Sequence, residues 1–201
     1  MSEWLTAFLT AFILIVPVEL PDKTFVATLV LSTRYRALPT WIGVSAAFAV
    51  QCAVAVSAGA LISKLPKTPV ELFAALMFLI GAVVLFRGAR KADQEEAEAE
   101  EEYNRKITDT RTGWRAVTAS FLILFAAEWG DLSQIMTATL VARGGHPLAV
   151  GLGAWVALAS VAGAAVLLGR WLLKRVRLSV IRYIGSSVCA ILATLTLVSA
   201  L

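Results

Sequence analysis

Six long apolar runs divide this chain, at approximately Trp4–Leu31, Thr40–Ile62, Val70–Phe86, Trp114–Val141, Leu148–Trp171 and Leu178–Leu201. A helix needs roughly 20 apolar residues to cross the hydrocarbon core of a bilayer, and each run reaches or approaches that length. The runs are continuous and do not alternate in short segments, which argues against a membrane β-barrel. Turn and charge signals separate them: Arg34–Arg36 with Pro39, Lys64 to Pro69, a long polar stretch over 87–113, Arg143 to Pro147, and Arg170 to Arg177. Composition excludes the other classes. With 59% hydrophobic and 16% charged residues and a mean hydropathy of +0.78, the chain is far more apolar than a soluble domain, at about 45–50%, or a disordered one. The expected fold is all-α, a polytopic membrane protein of six transmembrane helices.

The net charge of +4 does not point to nucleic acid, because the basic residues sit in short loops between apolar runs. Loops one, three and five carry most of the Lys and Arg residues, whereas loops two and four carry only Lys64, Lys67 and Arg143. That bias places the odd loops in the cytoplasm and both termini outside. The opening MSEWLTAF has no basic stretch and no small-residue cleavage site, so it is expected to begin a first span and not a cleaved leader. Cys52 and Cys189 lie within apolar runs without a CxxC partner and are expected to be buried small hydrophobes. Trp4, Trp41, Trp114 and Trp171, near span ends, are expected to anchor the interfaces.

The polar stretch contains the run Asp93-Gln-Glu-Glu-Ala-Glu-Ala-Glu-Glu-Glu102. It is expected to be a solvated hinge held extended by its like charges, with an acidic antenna at the cytoplasmic mouth as the alternative. It splits the chain into residues 1–89, a charged cytoplasmic linker over 90–113, and residues 114–201. The halves resemble one another. Glu19-Leu-Pro-Asp22-Lys23-Thr24 in the first is echoed by Glu128-Trp-Gly-Asp131-Leu132-Ser133 in the second, with one offset serving both acids and the hydroxyl residue. Ala27-Thr-Leu29 echoes Ala138-Thr-Leu140, and Ile42-Gly-Val44 echoes Leu152-Gly-Ala154. Three spans per copy force the second copy to cross in the opposite sense, the inverted-repeat plan of many transporters, whose site lies at the midplane between the copies.

Five ionisable groups fall deep inside the runs: Glu19, Asp22, Lys23, Glu128 and Asp131. Unpaired, they would cost on the order of 15 kcal/mol on insertion scales. Glu19 lies roughly 22 Å along a helix from Trp4, and Glu128 at similar depth from Trp114, too far in to snorkel. Acids three positions apart share a helix face, so packing the halves together brings four carboxylates into one place. Such a cluster takes up protons or binds a cation. The oxygens on offer are the carboxylates, the Thr24 and Ser133 hydroxyls, the Gln134 amide and backbone carbonyls. His146 lies in a loop. Hard oxygen donors suit Mn²⁺, Ca²⁺ or Mg²⁺ better than zinc or copper. Pro17 and Pro21 free the carbonyls of Ile13 and Pro17 for such a cation, or else simply kink the helix. Gly130, at the position of Pro21, admits a close neighbour. Lys23 is either a counter-charge for the emptied site or a snorkelling cation. Gln51 is expected to hydrogen-bond between helices, with a place along the pathway as the alternative.

These residues resemble the Gdt-type family, whose mark is a duplicated Glu-x-Gly-Asp-(Lys/Arg)-(Thr/Ser) motif in a six-span chain with a charged central loop. Its members are manganese/calcium transporters, often described as cation/proton exchangers, and the bacterial ones include manganese exporters. The resemblance covers essentially the whole chain. It implies a metal site formed by Glu19 and Asp22 with Thr24, and by Glu128 and Asp131 with Ser133 and Gln134. Two positions depart from the motif: Pro21 replaces the first glycine, and Leu132 replaces the second basic residue, which makes the site one unit more negative. A multi-pass protein of a bacterial inner membrane is implied, with no resident cofactor and no enzymatic activity.

The expected function is therefore export of Mn²⁺, with Ca²⁺ as a second substrate, in exchange for protons. The alternative within transport is an exporter of small organic cations such as basic amino acids, which four clustered acids suit less well. No GxxxxGK[ST] loop is present, so the driving force is an ion gradient. An intramembrane aspartyl protease using Asp22 and Asp131 would carry GxGD, and Glu-Trp-Gly-Asp131 is not that motif. A non-transporting scaffold would give no reason to keep buried acids.

Overall fold

A computed structural model of the chain describes residues 2–20, 23–106, 111–175 and 178–200. The described residues form nine α-helices and no strand: α1 (Ser2–Glu19), α2 (Lys23–Arg34), α3 (Ala37–Ile62), α4 (Lys67–Ala89), α5 (Ala92–Lys106), α6 (Trp114–Ala127), α7 (Leu132–Ala142), α8 (Pro147–Arg175) and α9 (Leu178–Ala200). Pro21 and Asp22 lie outside the described residues, as do the side chains of Lys23 and Trp171.

Three helices, α3, α4 and the stretch Pro147–Leu168 of α8, are long and apolar enough to cross a membrane. The first and fourth apolar runs are not single rods. Each is a pair of helices bent sharply at a short break, α1 against α2 by 73° and α6 against α7 by 72°. Counting each pair as one span gives five. The sixth run folds as α9, whose described apolar stretch, Arg182–Val198, is shorter than these. The count of six expected from run lengths is thus matched only as far as five.

Packing follows a pattern of exchange between the halves. The helix α1 packs on α8 as α6 packs on α3, α2 on α8 as α7 on α3, and α1 on α7 as α2 on α6. The helices α3 and α8 pack on each other, as do α4 and α9. Glycine makes the closest of these approaches possible. A Cβ on Gly43 would run into the Val117 carbonyl of α6, and one on Gly153 into the Phe8 carbonyl of α1. The α3–α8 seam is pinned by two indoles: Trp155 donates to the Ser45 carbonyl at 3.0 Å and Trp41 to that of Ala159 at 2.9 Å. On α9, Arg182 donates to the Gly88 carbonyl and Ser186 to that of Ala82, each at 2.8 Å.

Large aliphatic side chains such as Ile13, Leu61, Leu76 and Val198 point outward, as expected where lipid is the solvent. Cys52 and Cys189 are free and buried. The linker departs from the extended hinge expected of it. Residues 92–106 are helical, and Ala99 and Tyr103, one turn apart on a single face, are buried against the main core. That face docks on α2, and burial of an apolar stripe holds a helix that its charges alone would not.

Candidate metal centre

Both helix breaks fall on the duplicated acidic motif. Glu19 is the last residue of α1, Glu128 caps the C-terminal end of α6, and Asp131 is the N-cap of α7. The carbonyl ends of α1 and α6, carrying the negative pole of each helix dipole, therefore terminate at acidic side chains, an arrangement that favours a cation between them. One carboxylate oxygen from each of Glu19, Glu128 and Asp131 lies within 4.8 Å of the others. Glu19 is fully buried and Glu128 nearly so, while Asp131 is half-buried. The convergence expected of the two halves is present for these three acids. Asp22, the fourth, lies outside the described residues.

The second break is braced in detail. Gly130 takes φ +82°, a left-handed conformation that costs glycine little. The Asp131 carboxylate accepts from the Ser133 backbone N–H at 3.2 Å and from its hydroxyl at 3.4 Å, capping the donors exposed at the start of α7. The Gln134 amide bridges the turn: its nitrogen donates to the Glu128 carbonyl at 2.6 Å, and its oxygen accepts from the Gly130 N–H at 3.2 Å. On the first half, the buried hydroxyl oxygens of Thr24 and Thr28 have no hydrogen-bond partner among the described residues. Thr24 thus offers a free oxygen, whereas Ser133 and Gln134 are tied to the break.

Neighbouring residues complete the picture. Gln51, buried on α3, donates to the Phe125 carbonyl of α6 at 3.3 Å, which supplies a partner to the last turn before the break. This is the bond between helices expected of it. Leu132, standing where the motif has a base, is half-buried. A Cβ on Gly81 of α4 would lie 3.2 Å from it, and it packs with Leu14, Phe78 and Met136. That apolar setting accommodates a leucine and would penalise an unpaired cation. Cys52, expected only to fill the core, stands close enough to Glu19 for the two to interact electrostatically. The two lie on different apolar runs, which hides that relation from the sequence.

The cluster is reached through a cavity of 1090 Å³. It is lined by Glu128 and Asp131, by Arg87 of α4 and its C-cap Arg90, and by Glu98 and Glu102 of α5. The docked linker helix thus puts two of its acids on the same cavity as the buried ones. Oxygen donors, carboxylates above all, dominate the described part of the cluster, and such donors suit a hard dication.

Comparison with known proteins agrees with that chemistry. The family model described as divalent cation/proton antiporter GDT1 matches residues 7–93 and 116–201. The GDT1-like protein sll0615 of Synechocystis is 32% identical over 189 residues, covering 90% of this chain and 91% of its own length. Protein PAM71, chloroplastic, of Arabidopsis thaliana is 28% identical over 95% of this chain, and GDT1-like protein 1, chloroplastic, of Oryza sativa subsp. indica is 29% identical over 96%. The chain spans 56% and 62% of the lengths of these two plant proteins. No solved structure matches the chain.

Proposed function

This chain belongs to the GDT1 family of divalent cation/proton antiporters, and on that premise we propose that it exports Mn²⁺, and secondarily Ca²⁺, from the cytoplasm in exchange for protons. The cation is held by Glu19, Asp22 and Thr24 of the first half and by Glu128 and Asp131 of the second. Ser133 and Gln134 hold the second pair in place. The observation that carries this reading is the meeting of three carboxylates from two distant parts of the chain within 4.8 Å. In a low-dielectric setting such a group cannot stay ionised without a cation or protons, which is the property an exchanger needs.

The two halves act as inverted repeats of three spans, with residues 90–113 as a cytoplasmic linker and both termini outside. The exchange pattern of helix packing and the near-equal bends of 73° and 72° support this. The cavity between the acids and the linker helix supports loading from the cytoplasm. Metal enters along it and displaces protons from the cluster. The halves then rock about the α3–α8 seam, and protons arriving from outside neutralise the acids and release the metal. The location is the cell membrane.

A growth assay in excess Mn²⁺, with membrane abundance measured in parallel, tests the site. Glu19→Gln, Asp22→Asn, Glu128→Gln and Asp131→Asn are each expected to lose protection while reaching the membrane. If all four protect cells as well as the parent does, the site is wrongly assigned.

A further inference from the structure

A second cavity, of 700 Å³, lies at the opposite end of α1 and α7 from the acidic cluster. Glu3, Thr6 and Thr10 of α1 line one side, and Leu140, Arg143 and His146 the other. Chain direction separates the two cavities. The N-terminal end of α1 and the α7–α8 turn line the second cavity, whereas the C-terminal end of α4, the linker helix and Arg182 near the start of α9 line the first. An electrostatic interaction between Arg143 and Glu71, in the first turns of α4, agrees with that placement.

Two helices join the cavities in matching steps. Along α1, Thr10 lines the second cavity and Val18 lines the first; along α7, Leu140 lines the second and Leu132 the first. Midway on each, one helical turn from either end, stand Leu14 and Met136, 6% and 1% exposed, in one apolar cluster with Val18, Leu132 and Leu140. Each such turn rises about 6 Å, so the stretch that separates the cavities is about 12 Å long, with these two side chains at its centre. Apolar constrictions of that thickness block ions by excluding water, and a methionine can swing aside at little cost.

We propose that the Glu3–Thr10–His146 cavity is the external vestibule through which the dication leaves and protons arrive, and that Leu14 and Met136 are the barrier closing it. Its oxygens, the Thr6 and Thr10 hydroxyls and the Glu3 carboxylate, suit a hydrated hard dication. The vestibule extends the transport reading above, yet its test needs no metal, so failure of the flux assay and failure of the vestibule are separate results.

Single cysteines answer the question, the two buried native cysteines setting the baseline. A membrane-impermeant cationic thiosulfonate is applied in metal-free buffer to intact cells and to inside-out vesicles. Thr10→Cys, with Thr6→Cys as the second variant on that face, is expected to react from outside. Val18→Cys and Leu132→Cys are expected to react from the cytoplasmic side. Leu14→Cys and Met136→Cys are expected to react from either side at least tenfold more slowly than Thr10→Cys does from outside. Reaction of Thr10→Cys and Val18→Cys from the same face would overturn the proposal. So would labelling of Leu14→Cys from outside as fast as Thr10→Cys.

Discussion

Asp131 has two tasks that substitution can separate. Its charge belongs to the acidic cluster, while the same carboxylate caps α7 by accepting from the Ser133 N–H. Asparagine caps a helix about as well as aspartate, whereas losing the cap to alanine costs about 1 kcal/mol. Asp131→Asn is therefore expected to keep the parent's melting temperature in detergent while abolishing metal transport, and Asp131→Ala is expected to lower both. Equal melting of the two variants would remove the capping role. Gln134 is expected to behave in the reverse sense. Among the described residues its side chain bonds to the Glu128 carbonyl and the Gly130 N–H, two hydrogen bonds worth about 1 kcal/mol each. Gln134→Ala should then weaken metal affinity and melting together, and Gln134→Glu should restore neither, because a carboxylate cannot donate to the Glu128 carbonyl. The acids themselves are legible in the sequence from their depth and their spacing of three. The bracing by Gln134 is not, because spacing puts the side chain on the acidic face but does not say that it turns back onto its own backbone.

At the level of elements, periodicity and run length locate the helices but conceal the two bends. An apolar run such as 4–31 reads as one span. Pro17 and Pro21 hint at a kink in the first copy, Gly130 reads only as room for a close neighbour in the second, and none of them fixes an angle. The helical linker is hidden for a related reason. Its acidic charge outweighs two apolar positions, yet Ala99 and Tyr103 sit four apart and find a surface on α2. Their burial, with an exposed Glu101–Arg105 pair at 3.4 Å adding little, makes the helix. Tyr103→Ala is expected to raise hydrogen exchange and protease cutting across 92–106 several-fold, with the membrane helices unaffected. An unchanged exchange pattern would mean that α5 does not depend on this anchor. Glycine contacts give a sharper element-scale comparison. Gly43→Ala and Gly153→Ala each push a methyl group into a backbone carbonyl that cannot swing away, a form of overpacking that costs about 1–3 kcal/mol. Gly163→Ala meets only the Trp41 indole, its nitrogen at 3.4 Å. The first two should lower melting by similar amounts and the third should be nearly neutral. A large gap between Gly43→Ala and Gly153→Ala would show that the two helix crossings are not equivalent.

The whole molecule couples these parts. The constant offset between the two acidic motifs is enough to anticipate that acids from two distant parts of the chain meet. It does not anticipate that the acids cap helix ends, where a change of protonation acts directly on the breaks between rods. Under the proposed mechanism, that placement would make the acidic cluster the point at which cation, proton and rocking motion act on one another. On the proposed reading, a bound dication would offset the carboxylates and draw α1, α6 and α7 together, whereas bound protons would neutralise the same groups and remove the attraction. Exchange of the two ligands is then obligatory in each cycle, and a pH gradient alone should move metal. In proteoliposomes with an acidic lumen and Mn²⁺ outside, uptake is expected to begin at once and the lumen to alkalinise in step with it. Collapsing the gradient with nigericin should reduce uptake to that of protein-free vesicles. Glu128→Gln should abolish both signals together if, as proposed, the same carboxylate carries metal in one half of the cycle and a proton in the other. Metal uptake that continues unchanged after the gradient is collapsed, or a variant that loses metal flux but keeps the proton signal, would separate the two ions and leave the cluster as a binding site without coupling.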